Sequence, residues 1–448
     1  MSPETSRTVA GTTASAASAT PHPSGPLPTA PARTRRRDLV AVNIGNALEW
    51  FDWNIYAIFA PFFAAQFFRG EDAITGLLST LVIFAVGFLM RPIGGWVFGH
   101  IADSRGRRFS LTLAIGLAAI GSLVIAVAPT FDVIGPWAAL ILLLARLVQG
   151  MSHGGETGSA FTYLAEVAPE GRRGLWASSP WIGVGIGSIL ATGLGALLTA
   201  ILTDEQMAAF GWRIPFGIAA LLGLYALWIR FGLTESEKFT ASSEKTPSVR
   251  DTFRLIGAHR STILRITGLT IGGVTVFYTW LIFAPGYATR TFGIDPTTAL
   301  LIGVAGQAVL VVMAPVFGAL SDRLGRRPVL QIFSIGFAVV AFGLDAILGP
   351  SPWTLLLALL VAGLLISANT GPLGATFAEL VPTRERATVI GVGYATSAAI
   401  FGGTAPYLNT WLESIGLHWI YTAYLVALCL ISAIVIWRMP ETAREPLR

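Results

Sequence analysis

GHIADSRGRR (Gly99 to Arg108) returns as GALSDRLGRR (Gly318 to Arg327). The shared pattern is Gly-x3-Asp-x2-Gly-Arg-Arg, and each copy joins two long apolar runs. Outward from it, two further patterns recur in the same order. One is Glu166, Pro169, Arg173 against Glu379, Pro382, Arg386; the other is Glu235-Ser236 against Glu441-Thr442. Three paired motifs in register mean a duplicated architecture, two related halves joined end to end. Glycine in these loops permits turning and close packing, and the acidic and basic groups suit ion pairs that form and separate between halves. Asp103, Arg107, Glu166, Arg173, Asp322, Arg326, Glu379 and Arg386 are the gating residues expected on this basis.

Composition sets the medium. Of 448 residues, 53% are hydrophobic and only 12% charged, against about 25% charged in soluble proteins. Twelve apolar stretches are long enough to cross a bilayer: about 38–67, 75–101, 109–129, 135–165, 175–201, 210–232, 260–288, 296–320, 328–349, 353–380, 387–412 and 418–438. The fold expected is an all-α membrane protein of twelve transmembrane helices in two pseudo-symmetric six-helix bundles. Residues 1–37 read as a disordered cytoplasmic tail, poor in large apolar residues and without a signal-peptide core. The bundles take 38–232 and 260–438, separated by a polar cytoplasmic linker at 233–259 and followed by a short cytoplasmic tail at 439–448. With the N-terminus inside, all 30 Lys and Arg fall on the cytoplasmic side except Arg69, Arg213, Arg290, Arg91 and Arg146, which obeys the positive-inside rule. The net charge of +5 is therefore topology and attraction to lipid headgroups, with no nucleic-acid partner implied. A single cysteine, Cys429, excludes a disulfide framework, and no His or Cys spacing suits a metal.

The paired loops resemble those of the major facilitator superfamily. Within it, GNALEWFDW (Gly45 to Trp53), RPIGG (Arg91 to Gly95), GGE (Gly154 to Glu156) and GWRIPF (Gly211 to Phe216) are similar to the metabolite:proton symporter family. The stretches FLMRPIGGW and LLLARLVQG are similar to its α-ketoglutarate permease branch; proline/betaine, shikimate and citrate carriers share parts of them. The resemblance implies alternating access, a proton as coupling ion without any other cofactor, a small-molecule substrate, and a functional monomer in the bilayer. It also makes the helix-four arginine, Arg146, part of the proton machinery. Ser104 stands where the family carries a basic residue after the loop Asp; Arg323 keeps it in the second copy.

Ionisable residues deep in a spanning helix are costly and mark function. Glu49 and Asp52 are spaced i, i+3 with Tyr56 a turn beyond, so all three share one helical face. Two carboxylates in a low-dielectric setting resist being charged together, as a proton site requires. Glu49, Asp52 and Glu156 are the expected proton-coupling residues. Arg91 and Arg146 are the expected anion contacts, because a guanidinium fork holds a carboxylate by two hydrogen bonds; internal pairing with Glu49, Asp52 or Glu156 is the other reading. Tyr56, Trp181, Tyr278, Asn369 and Tyr394 complete the expected substrate pocket. His153 reads as a packed polar residue, the alternative being a pore-side titrating group.

Two superficial motifs are set aside. GMSHG (Gly150 to Gly154) fits a nucleophile elbow but lies in a spanning helix. GVGIGS (Gly183 to Ser188) lacks the lysine and strand of a phosphate loop; small residues there suit helix contacts. No enzyme activity is expected. The function expected is proton-coupled uptake of a small organic acid, the alternative being a zwitterionic osmolyte such as proline or betaine.

Overall fold

The computed structural model of the chain describes residues 32–68, 72–105, 107–154, 164–166, 168–231, 249–383, 385–445 and 447. The described residues form twelve long helices: α1 (Ala32–Phe67), α2 (Ala73–Arg105), α3 (Arg107–Val127), α4 (Trp137–Ser152), α5 (Arg173–Ile201), α6 (Asp204–Trp228), α7 (Arg260–Phe292), α8 (Pro296–Leu324), α9 (Arg326–Ile347), α10 (Pro352–Leu380), α11 (Thr388–Ser414) and α12 (His418–Arg438). Ten are long and apolar enough to span a membrane by themselves. The other two are α1, whose mean hydropathy its polar residues lower, and α4, whose described part is short. The chain is a multi-pass membrane protein. α1 starts at Ala32 rather than near 38, and a further helix, Val249–Ala258, lies where the sequence reads as linker.

Helix ends follow local chemistry. The Asp72 carboxylate accepts from Thr75 N–H (2.7 Å) and Asp295 from Thr298 N–H (2.8 Å), each satisfying an orphan donor of a first turn. Pro296 follows Asp295 at a position where a missing N–H costs nothing. Gly325, at φ +105°, ends α8 and opens α9; a Cβ there would stand 2.6 Å from the Glu441 carboxylate. That double constraint explains the glycine of the loop motif.

Glycine also decides which helices touch. Along GVGIGS, Gly183 and Gly187 lie against the α1 backbone at Asn43 and Ala47, whereas Gly185 faces Val311 of α8. α5 is thus wedged between α1 and the second bundle. Thr192 receives a hydrogen bond from Gln307 Nε2 (2.9 Å), and Thr297 donates to Thr199 (2.9 Å), both joining α8 to α5. Gly87 and Gly94 of α2 meet Gly150 and Met151 of α4, backbone on backbone. GMSHG is therefore a helix crossing. Lacking any hydrophobic drive between helices in lipid, such close contacts and cross-helix hydrogen bonds hold a bundle together. The two bundles meet through α5–α8, α2–α11 and α1–α7.

Candidate functional site

At the end of the molecule that carries the loop motifs, the duplicated residues exchange partners between halves. Arg386 Nη1 lies 2.6 Å from Glu166 Oε1, and Arg173 Nη1 lies 3.9 Å from Glu379 Oε1. Each arginine reaches the glutamate of the other repeat. Asp322 accepts from the backbone N–H of Gly174 (2.7 Å) and Leu175 (3.0 Å), capping the first turn of α5, and pairs with Arg326 (2.9 Å). Arg326 forks onto Glu379 through Nε (3.1 Å) and Nη2 (2.9 Å). Gly174 and Gly318 touch backbone to backbone beneath this network. The halves are closed at this end. The side chains of Asp103 and Arg107 lie outside the described residues, as do Arg69 and Glu235-Ser236.

Glu441 belongs to the same network. Its carboxylate accepts from Arg326 N–H (2.8 Å) and Arg327 N–H (3.0 Å) at the start of α9. Partial burial pushes its pKa up, but backbone N–H donors from Arg326, Ala443, Arg327 and Thr442 outweigh that and hold it below the ordinary carboxylate value. A depressed folded pKa contributes stability that is present above the unfolded value, about 4.3, and is lost as pH falls through the lower folded value. Glu441→Gln is expected to lower the melting temperature at pH 7 and to remove that part of the acid-range slope. Thermal unfolding of the solubilised protein between pH 3 and 7 checks it; parallel slopes for both proteins would contradict it.

Near mid-membrane, α1 carries two neighbouring clusters. One holds carboxylates. His153 lies between them, Nδ1 3.2 Å from Glu49 Oε1 and Nε2 3.4 Å from Asp52 Oδ2. Ser122 of α3 donates to Asp52, and Gln149 Nε2 reaches both Asp52 oxygens (3.3 and 3.4 Å) and Ser122 (2.7 Å). A neutral imidazole has one N–H, so it cannot donate to both carboxylates. The group therefore satisfies its contacts only with an added proton, as imidazolium or as a carboxylic acid. His153 is thus no mere packing residue, and Gln149 and Ser122 are partners that sequence reasoning missed. Gln149 carried one signal, its i, i+3 and i, i+4 spacing from Arg146 and His153, which neutral polar residues in any helix share; Ser122, on another helix, carried none. Glu156 lies outside the described residues.

The second cluster, on the adjoining surface of α1 around Trp53 and Tyr56, holds aromatics and guanidinium groups, so Tyr56, expected to share a face with Glu49 and Asp52, carries Arg146 on its ring. The Arg91 guanidinium carbon sits 4.0 Å from the Trp53 ring centroid and 4.6 Å from that of Phe88; that of Arg146 sits 4.2 Å from both Trp53 and Tyr56. Both arginines are buried, at 4% and 0% exposure. Arg146 Nη1 donates to Gln149 (3.0 Å), but Arg146 Nε and Nη2 and Arg91 Nε are buried without an acceptor. Among the described residues neither arginine forms an ion pair. The expected internal salt bridges to Glu49 or Asp52 are absent there, because His153, Ser122 and Gln149 already hold those carboxylates. Cation–π contact contributes about 2 kcal/mol when desolvated, less than the several kcal/mol that burying an unpaired ion costs.

The second bundle closes over this layer. Tyr278, in a π-helical turn of α7 (Phe277–Phe283), packs edge-on against Phe88 (5.3 Å) and Phe84 (6.0 Å) and stacks on Trp50 (6.5 Å). Such turns frequently occur at functional sites. The Tyr278 hydroxyl is buried beside the Trp53 indole without a well-formed hydrogen bond. Trp181 joins through Phe277 (6.4 Å). Tyr394 of α11 is near enough to Arg91 and Glu49 for electrostatic interaction. Asn369 is placed against Gly273 of α7, its Nδ2 unpartnered. The second half also holds Asp345 against His418 (2.8 Å), at the opposite end of its bundle.

Residues 39–254 match the model of the "Sugar (and other) transporter" family, and residues 266–448 that of the "Major Facilitator Superfamily". The chain is 38% identical over 407 residues to the alpha-ketoglutarate permease of Escherichia coli K12, covering 90% of this chain and 93% of the permease. It is 33% identical over 431 residues to the glycine betaine/proline/ectoine/pipecolic acid transporter OusA of Dickeya dadantii, covering 92% and 85%. Its fold is similar to the solved proton:xylose symporter XylE bound to 6-bromo-6-deoxy-D-glucose, with a TM-score of 0.74, 18% identity and coverage of 92% and 97%.

Proposed function

Because the chain belongs to the major facilitator superfamily, whose members are membrane transporters and not enzymes, we propose that it couples proton entry to uptake of a small organic acid by alternating access. The observation that supports this most is the separation of charge between two neighbouring clusters on α1. His153 lies between the Glu49 and Asp52 carboxylates in one, and Arg91 and Arg146 stand buried without an ion-pair partner among the described residues in the other. A substrate carboxylate supplies the missing acceptor. Gln149, bonded to both Asp52 and Arg146, connects the two.

The osmolyte alternative fits the residues less well. A trimethylammonium group needs open aromatic faces, and those of Trp53 and Phe88 are covered by Arg91. With the motif-bearing end in the cytoplasm, the protein lies in the inner membrane with both termini inside, works as a monomer, and uses Tyr56, Trp181, Tyr278, Asn369 and Tyr394 to shape the pocket. The closed network of Glu166, Arg173, Asp322, Arg326, Glu379 and Arg386 is then the cytoplasmic gate. Uptake of mono- and dicarboxylates, proline and betaine into proteoliposomes, with and without an inward proton gradient, tests the reading. Carboxylate uptake raised by the gradient is the expected result. Betaine as sole substrate, or indifference to the gradient, overturns it.

A further inference from the structure

On the carboxylate side of α1, helices α1, α3, α4 and α6 of the first bundle enclose a cavity of about 140 Å³. Small residues, among them Ala114 and Ala118 from α3 and Ala219 and Gly223 from α6, share its walls with Leu48, Phe51, Ile115 and Leu222. Its polar end is Glu49, Asp52, Ser152 and His153. The cavity runs lengthwise. Ala114 lies about 10 Å along α3 from its start at Arg107, and Ala226 lies close to the motif-end terminus of α6. From there the lining reaches Asp52. The anion side is sealed from it, since Trp53 is fully buried and packs edge-on on His153 at 5.4 Å. A space of this size holds on the order of ten waters, and it has the polar partners that water needs.

We propose that the proton leaves the Glu49–His153–Asp52 group through this cavity, inside the first bundle, by a route distinct from the path of the anion between the bundles. The inference rests on the proton-coupled reading above. In the step, the added proton passes from the imidazolium, or from the carboxylic acid, to a cavity water. A neutral imidazole or a carboxylate remains, and the hydronium exits to the cytoplasm. The groups that set this transfer are Ser122 from α3, Arg146 through Gln149 from α4, Arg91 from α2 and Tyr394 from α11. Such a route gives a role to the alanines and glycine that α3 and α6 place opposite Glu49 and Asp52. It also lets the proton depart while the gate between the halves is shut, as it is here.

Ala118→Leu fills the cavity without touching an arginine or an aromatic of the anion side. Two rates are compared in proteoliposomes: gradient-driven net uptake, which needs proton release, and substrate exchange, which does not. Net uptake is expected to fall about tenfold or more, because the waters that relay the proton are displaced, while exchange stays within about twofold. Loss of both in equal measure, or of neither, overturns the proposal. Should the leucine variant fail to fold, Ala118→Cys in a Cys429→Ala background is treated with a small membrane-impermeant thiol reagent from the cytoplasmic side. Labelling that blocks net uptake supports the route; no labelling, or labelling without effect, overturns it. The unsubstituted protein is measured first. If its uptake ignores the proton gradient, it is the proton-coupled reading that fails, a result distinct from either outcome with the cavity variants.

Discussion

Asp52→Asn is expected to abolish gradient-driven accumulation while leaving substrate exchange in place. One unit of pH difference corresponds to 1.36 kcal/mol per proton, enough for about tenfold accumulation of a substrate carried with one proton. Asparagine fills the same volume and keeps polar contact with Ser122 and Gln149, so the helix packing is retained. It cannot take up the proton that the contacts of His153 demand. The substrate concentrations inside and outside are therefore expected to become equal under an imposed gradient. The check is paired measurement of net uptake and counterflow in proteoliposomes. Retained accumulation would remove Asp52 from the proton site and leave Glu49 as its acceptor.

Arg91→Ala carries the second large effect. A hydrogen bond to a charged group is worth about 1.5–3 kcal/mol, so losing the anion contact is expected to reduce uptake by about 10–100-fold at 1.4 kcal/mol per decade. Arg91→Lys keeps the charge but not the fork and is expected to fall between the two. Stability distinguishes a binding role from a structural one. The guanidinium is buried beside aromatic rings with no ion-pair partner among the described residues, so its removal relieves a desolvation cost. The substrate-free melting temperature is expected to hold or rise, and the substrate-induced thermal shift to vanish. A large drop in substrate-free stability would make Arg91 a structural residue.

Much of the site was legible because burial makes charge conspicuous. Glu49, Asp52, Arg91 and Arg146 stand out in apolar helices whatever the fold around them. Asp322, Arg326, Glu379 and Arg386 stand out by repetition, and the exchange of Arg173 and Arg386 between repeats is what two-fold pseudo-symmetry makes of paired motifs. His153 read first as packing, and Gln149 and Ser122 did not stand out. They are neutral or weakly titrating, and their meaning depends on contact with Asp52, 101, 97 and 70 residues away in sequence.

By itself the sequence determined two six-helix halves, their loop motifs and the depth of each buried charge, because apolar length and repetition are one-dimensional properties. Partner choice belonged to the tertiary structure. Periodicity says which residues share a face of α1 but not which helix that face meets. The glycine crossings between α2 and α4 and between α1 and α5 decide that, by letting backbones approach where any side chain would collide. They bring His153 rather than an arginine to the carboxylates and leave Arg91 and Arg146 on the aromatic side. In a low-dielectric interior a displacement of one helical turn changes a charge's partner, and no linear pattern encodes it.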